Sequence, residues 1–225
     1  MKQKIKLVVF DMAGTTIDED NVVYKTILAT IQAKGFNVNL PKVLTYCAGK
    51  EKQQAIKDLM VAMNFDHDDT LIEELFNDFK IRLSIAYDNL KVKSFIGVED
   101  LFSELKNKSI KVALNTGYDS STASKLLKNL KWTEGVEYDT LVTADDVING
   151  RPHPDMILKA MDKTGVISAT NVAKIGDSIV DIQEGQAADC LYSIGVTTGA
   201  QNREQLASAN PTHIFDELKE LLSFI

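Results

Sequence analysis

Cysteine and histidine are scarce in this sequence. Its 225 residues include two cysteines, Cys47 and Cys190, and three histidines. These are too few and too far apart for a Cys-x-x-Cys pair or a zinc-type spacing, so neither a dithiol redox centre nor a zinc site is expected. Two distant thiols point to unpaired cysteines in a reducing compartment. Long apolar runs are also missing. The lysine-bearing segment from Met1 to Phe10 holds only a short apolar stretch ending at Asp11, too short for the apolar region of a signal peptide, and no run reaches membrane length. The expectation is a cytoplasmic protein without membrane contact. Basic residues are outnumbered, 25 Lys and Arg against 32 Asp and Glu, for a formal net charge of -7. Such a chain is a poor partner for nucleic acid or an acidic membrane. An anionic small substrate is still compatible, because a local site can be positive inside a negative protein. No internal repeat and no low-complexity segment is present.

What is there suits a globular enzyme. An apolar fraction of 44% and a length of 225 residues are enough for one α/β domain, or for a core with a small second domain. Ile5 to Phe10 is a compact apolar run that reads as a buried strand, followed by a small-residue loop, Asp11-Met12-Ala13-Gly14-Thr15-Thr16. From about Val22 to Asn89 the period is helical. Val23, Ile27, Leu28 and Ile31 form one stripe, stopped by Gly35. Ile56, Leu59, Met60 and Met63 form a second, and Leu71, Leu75, Phe79 and Leu83 a third, on a helix that Asp68 or Asp69 could cap. After Lys91 strands and helices alternate. Strands are expected at Ile110–Leu114, Thr140–Thr143, Val172–Ile175 and Cys190–Val196, and helices at Ser121–Leu130, Pro154–Lys163 and Ile179–Ala187. That alternation predicts a doubly wound, Rossmann-like parallel sheet with helices on both faces. A helical insert of residues 18–89 would interrupt a core made of 1–17 and 90–225.

Asp11, Thr116 and Asp177 each follow a predicted strand, so one edge of the sheet would collect them. Arg151 and Asp181 join them in the chemistry they suggest. Clustered carboxylates repel one another unless a cation intervenes, and magnesium takes oxygen ligands from one or two carboxylates plus phosphate oxygens. A carboxylate beside such an ion can attack phosphorus, while a cation, a hydroxyl and loop N–H groups hold the phosphoryl oxygens.

Four segments carry a family resemblance. Asp11-Met12-Ala13-Gly14-Thr15 resembles the first motif of the haloacid dehalogenase superfamily, Asp-x-Asp-x-Thr. Asn115-Thr116-Gly117 resembles the second motif. Gly150-Arg151-Pro152-His153-Pro154-Asp155 resembles the third, with Arg151 where lysine is commoner, and Gly176-Asp177-Ser178-Ile179-Val180-Asp181 resembles the fourth. The resemblance implies a magnesium-dependent hydrolase working through an aspartyl-phosphate. Asp11 would be the nucleophile, and Asp11, Asp177 and the Ala13 carbonyl would hold Mg2+, with Asp181 organising its water shell. Met12, Ala13, Thr116, Gly117 and Arg151 would bind the phosphoryl group, and the helical insert would be a mobile cap.

Ala13 departs from the common pattern, because alanine cannot serve as the acid/base that the second aspartate supplies. Alanine at this position resembles the phosphonoacetaldehyde hydrolases, whose first motif reads Asp-x-Ala-Gly-Thr-Thr, as residues 11–16 do here. Gly117-Tyr118 and Gly150-Arg151-Pro152 are similar to that subgroup too. There a cap lysine forms an imine with the substrate aldehyde, so the protonated nitrogen takes up the electrons of the broken carbon–phosphorus bond. The resemblance puts Lys52 in that role, with Lys50 as the neighbouring cation that would favour its neutral form. The histidine usual three residues after the lysine is Ala55 here. Simpler readings compete. Asp177, Asp181 and Thr116 could cap helices, Arg151 could shape a proline-flanked loop, and Lys52 could be solvated. The substrate expected is a small phosphonate or phosphate metabolite. The alternatives are a phosphoglycolate phosphatase-like enzyme acting on a small phosphate ester, and a non-catalytic phosphate-binding relative. A protein that only binds phosphate has no use for the nucleophile Asp11.

Overall fold

The computed structural model describes residues 5–89 and 92–225. The chain begins with strand β1 (Leu7–Asp11) and a two-residue strand β2 (Ile17–Asp18). Four helices follow: α1 (Val22–Ala33), α2 (Leu40–Cys47), α3 (Lys52–Ala62) and α4 (Asp69–Asn89). The rest alternates: β3 (Lys93–Ser94), α5 (Val98–Asn107), β4 (Lys111–Asn115), α6 (Ser120–Leu130), β5 (Thr140–Val142), α7 (Asp155–Thr164), β6 (Val172–Gly176), α8 (Ile179–Ala187), β7 (Tyr192–Val196), α9 (Arg203–Ala207) and β8 (His213–Phe215), with a last turn α10 (Leu221–Phe224).

Six strands form one parallel sheet in the order β5-β4-β1-β6-β7-β8, the doubly wound arrangement that the alternation predicts. β1 lies at its centre and all five of its residues are buried, because helices cover both faces. The period of two then divides its side chains. Leu7 and Val9 pack with Met156, Ile157 and Ala160 of α7 on one face. Val8 and Phe10 join the larger cluster on the other, where the Phe10 and Phe102 rings are 5.3 Å apart. Register brings the strand ends level, with Asp11 beside Asn115 and Phe10 beside Ile175. The loops carrying residues 11–16, 116–119 and 177–178 therefore leave the sheet at one edge.

The four helices between β2 and β3 pack on one another, burying Val23, Ile27, Ile31, Ile56, Leu59, Met60, Leu75, Phe79 and Leu83. These are the stripes read from the sequence, except that Leu28, Met63 and Leu71 are only partly buried. Asp68, not Asp69, caps α4, its Oδ1 accepting from the Leu71 N–H at 2.8 Å. Helix α2 escaped the periodicity. It is short, and its start is set by Asn39, which accepts from the Lys42 N–H, with Pro41 in the first turn. Strands β2 and β3 pair antiparallel where the chain leaves and re-enters the sheet region. The boundary expected at residue 90, and residues 1–4 of the core segment, lie outside the described residues. Strand β7 starts at Tyr192 rather than Cys190, whose N–H closes the end of α8 on the Gly185 carbonyl. Cys47 and Cys190 are both free. Among the described residues no helix is long and apolar enough to cross a membrane.

Candidate active site

Asp11 ends β1, 5% exposed, and the loop after it turns tightly. Thr16 anchors that loop, its hydroxyl donating to the Asp11 carbonyl at 3.0 Å and the Met12 carbonyl at 3.2 Å. Met12 is fully buried and Ala13 partly so. Gly14 has φ +84°, and a Cβ there would lie 2.4 Å from Asp177 Oδ2. A Cβ on Gly199 would lie 2.0 Å from the same oxygen. Glycine at both positions lets two backbone turns close around the Asp177 carboxylate, which accepts from the Ala200 N–H.

Asp11, Asp177 and Asp181 converge, with one oxygen of each within 4.8 Å of the others. Burial pushes the Asp11 carboxyl up, against the pull of Arg151, and burial together with Asp11 and Asp181 pushes Asp177 well above the carboxylate range. Asp181 differs. Burial opposes its ionisation too, but Arg151 and Lys174 outweigh that and hold it below the ordinary value. Asp181 Oδ1 lies 2.9 Å from Lys174 Nζ and 3.3 Å from Arg151 Nε, yet accepts no well-formed hydrogen bond. Three buried carboxylates with converging oxygens, one of them pushed toward its neutral form by burial and by the other two, are a donor set that a small divalent cation satisfies. The helix-cap readings fall away. The residue before α8 is Ser178, which makes no side-chain cap bond, and Asp119, not Thr116, caps α6.

Arg151 is fully enclosed by acceptors. Nη1 donates to Asp11 Oδ1 at 2.7 Å and to the Gly49 carbonyl at 3.3 Å, Nη2 to the Asn115 carbonyl and Oδ1 at 2.9 and 2.8 Å, and Nε to Glu184 Oε2 at 3.1 Å. Burial works against the guanidinium charge, but Asp181, Asp11 and Glu184 more than restore it, and its pKa rises. Lys174, Glu184 and Asn115 complete the network. Lys174 Nζ donates to Asn115 Oδ1 at 2.6 Å and lies 3.3 Å from Glu184, which also accepts from the Asn115 amide. The motif reading missed Lys174 and Glu184. Their signal was available, since a lysine inside the apolar run Val172-Ala173-Lys174-Ile175 has no place in a buried strand without charged partners. Thr116 Oγ1 accepts from the Tyr118 N–H at 3.2 Å and donates to no protein atom among the described residues.

Lys52 lies at the start of α3, capped by Glu51, whose carboxylate accepts from the Gln53 and Gln54 N–H groups. Only 7% of Lys52 is exposed, and Nζ donates to the Lys50 carbonyl. The ammonium sits 5.4 Å from the Tyr118 ring centroid and 5.9 Å from that of Tyr24. Burial lowers its pKa, and the next contribution is Arg151. This corrects the part expected of Lys50, whose ammonium pairs with Asp58 instead. Ala55 is buried, and its carbonyl accepts from Cys47 Sγ at 3.4 Å. The turn bearing Gly49 and Lys50 abuts the core closely. A Cβ on Gly117 would meet the Lys50 carbonyl oxygen at 2.8 Å, and one on Gly49 would meet Ser178 Oγ at 2.2 Å. Beside this contact a cavity of about 520 Å³ opens between helical insert and sheet, with Lys52, Phe76, Tyr87, Gly117 and Tyr118 in its wall. Asp11 does not line it; its Oδ1 is covered by Arg151.

A parallel sheet gathers a carboxylate triad, a buried arginine and a threonine at one edge, a donor set for a divalent cation beside a fixed cationic group. The family model for haloacid dehalogenase-like hydrolases matches residues 8–204, and the chain belongs to that family. It is 26% identical to the phosphonoacetaldehyde hydrolase of Bacillus cereus, over 96% of this chain and 86% of that protein. It is 28% identical to a Clostridium perfringens protein named as a pyrophosphatase, PpaX, over 98% and 97%. A crystal structure of a phosphonoacetaldehyde hydrolase-like protein from Oleispira antarctica superposes with a TM-score of 0.84 at 22% identity, covering 98% of this chain and 91% of the other. The protein is thus a haloacid dehalogenase-like hydrolase with phosphonatase-like and phosphatase-like relatives.

Proposed function

We propose that this hydrolase cleaves the carbon–phosphorus bond of a small phosphonate aldehyde, with Asp11 as nucleophile and Lys52 as imine-forming amine. The observation that carries this reading is the buried Lys52. Its amine is held in the wall of the cavity, with burial and Arg151 favouring the neutral form that can attack a carbonyl. Ala13 agrees with it, because an imine takes up the electrons of the breaking bond and no carboxylic acid is needed at that position.

On this reading Asp11, Asp177 and the Ala13 carbonyl hold Mg2+, with Asp181 behind them. The ion supplies charge neutralisation at the phosphoryl oxygens and keeps the carboxylates ionised. Lys52 condenses with the aldehyde. Arg151 exchanges Asp11 Oδ1 for phosphoryl oxygens, assisted by the Thr116 hydroxyl and the backbone of Met12, Ala13 and Gly117. Asp11 attacks phosphorus, the carbon–phosphorus electron pair passes to the iminium nitrogen, and water later hydrolyses the aspartyl-phosphate. Residues 18–89 act as a cap over this site, and the contact of Gly49 and Lys50 with Gly117 and Ser178 is its closed position.

The test is borohydride trapping with phosphonoacetaldehyde and Mg2+, followed by peptide mass mapping. A reduced adduct on Lys52, absent in Lys52→Arg together with turnover, supports the reading. No adduct, with Lys52→Arg still active on its best substrate, overturns it. One observation favours a second reading, hydrolysis of a small phosphate ester: Ala55 stands where the phosphonoacetaldehyde hydrolases tend to carry histidine. Preferential turnover of phosphate esters would establish it.

A further inference from the structure

One buried carboxyl group in this cleft has no part in the scheme above. Glu19 follows β2, is 3% exposed, and forms no ion pair among the described residues. Its Oε2 accepts from the Tyr87 hydroxyl of α4 at 3.1 Å, and Tyr118, beyond β4, faces the same pair. The backbone carbonyl of Glu19 accepts from the Val22 N–H at the start of α1 at 3.0 Å. Two other side chains face the carboxyl group, Tyr24 of α1, whose hydroxyl accepts from the Gly49 N–H at 3.2 Å, and Lys52 of α3. Tyr87 and Tyr118 both stand in the cavity wall, whereas Glu19 lies behind them. An unpaired carboxylate behind a screen of phenols is costly to keep ionised, and a protonated carboxyl there is a stored proton with a hydroxyl path to the cavity.

We propose that Glu19 is the proton source of this site: through the Tyr87 hydroxyl it protonates the oxygen that departs in the cavity. The inference builds on the proposed lysine chemistry, in which the departing oxygen is that of the aldehyde. Lys52 Nζ forms a bond to the aldehyde carbon and the oxygen takes the amine's proton, giving the carbinolamine. The carbon–oxygen bond then breaks. The oxygen leaves as water with the proton relayed from Glu19, the nitrogen lone pair forms the C=N bond, and a glutamate anion remains opposite the new iminium cation. Glu19 does not touch the substrate; it acts through Tyr87. Burial, opposed by Tyr87 and Lys52, pushes its carboxyl up to about 8, so the acid form is the one present at neutral pH.

The experiment compares the pH–rate profile of phosphonoacetaldehyde cleavage for the parent, Glu19→Gln, Glu19→Asp and Tyr87→Phe, all with Mg2+. The parent should lose kcat as pH rises through about 8. Glu19→Gln should lose about 100-fold in kcat, within the usual range for a proton donor, with KM little changed and no alkaline limb of that origin. Glu19→Asp should recover at least part of the rate with a displaced limb, and Tyr87→Phe should fall like Glu19→Gln. A Glu19→Gln enzyme within threefold of the parent in kcat, or one that keeps the same limb, overturns the proposal. If the parent gives no Lys52 adduct, the lysine reading has failed separately. The same variants are then compared on p-nitrophenyl phosphate, where the departing oxygen is the ester's and the same limb decides. Infrared difference spectra need no turnover. A protonated-carboxyl band at neutral pH that disappears in Glu19→Gln is expected, and its absence from the parent overturns the proposal.

Discussion

Replacing Gly117 by alanine should separate cap docking from folding. Gly117 is not in the left-handed region, so its backbone accepts alanine without strain. The added Cβ would meet the Lys50 carbonyl oxygen at 2.8 Å and its carbon at 3.2 Å, both main-chain atoms that cannot rotate away. Ordinary contact begins near 3.4 Å, so the turn must retreat by about 0.6 Å or more. That carbonyl is the acceptor for Lys52 Nζ, and the Gly49 carbonyl before it accepts from Arg151. The retreat therefore displaces both the amine's anchor and the arginine's. Misplacing reacting groups by about 1 Å costs on the order of 100-fold, so a fall in kcat of roughly 10- to 100-fold is expected. Stability should change by less than about 1 kcal/mol, because the nearest atoms belong to the insert's turn and not to the sheet's core. The assay pairs steady-state turnover of phosphonoacetaldehyde with thermal denaturation and Lys52 trapping. A Gly117→Ala enzyme with an unchanged Tm and kcat within threefold of the parent would refute the argument, because the turn would then not need this position during catalysis.

Two other perturbations follow from the same geometry. Asp11→Asn should abolish turnover while leaving Tm nearly unchanged, since an amide cannot attack phosphorus but still offers Arg151 an oxygen acceptor; measurable hydrolysis near the parental rate would remove Asp11 from the nucleophile's role. Mg2+ should raise Tm, by about 5–10 °C at a concentration near 100 Kd, because binding offsets the burial and the carboxylate repulsion that push Asp177 up. Asp177→Asn should lose most of that shift, and stripping with EDTA should stop turnover until Mg2+ is restored. A shift preserved in the mutant, or full activity after verified metal removal, would count against the triad as a magnesium site.

The sequence by itself determined the sheet and the edge that matters. Apolar runs such as Leu7–Phe10 and Val172–Ile175 read as buried strands, and each is followed within two residues by an aspartate, Asp11 or Asp177, whose charge is incompatible with burial unless it is used or paired. Helical stripes in the insert were legible for the same reason, since burial of one face imposes a period of 3.6 residues. Motif order then pointed to Asp11, Thr116, Arg151, Asp177 and Asp181. Only the tertiary structure decided which charges meet. Lys50 and Lys52 are two residues apart, yet on folding one turns to Asp58 and the other into the cleft, while the cation acting on Lys52 is Arg151, far along the chain. Glu19 and Tyr87 come from segments far apart in the chain and carry no local pattern at all. Local sequence reports backbone preference and burial, which are short-range properties. Electrostatic partnership depends on distance in space and on the exclusion of water, and both exist only once the insert has closed against the sheet.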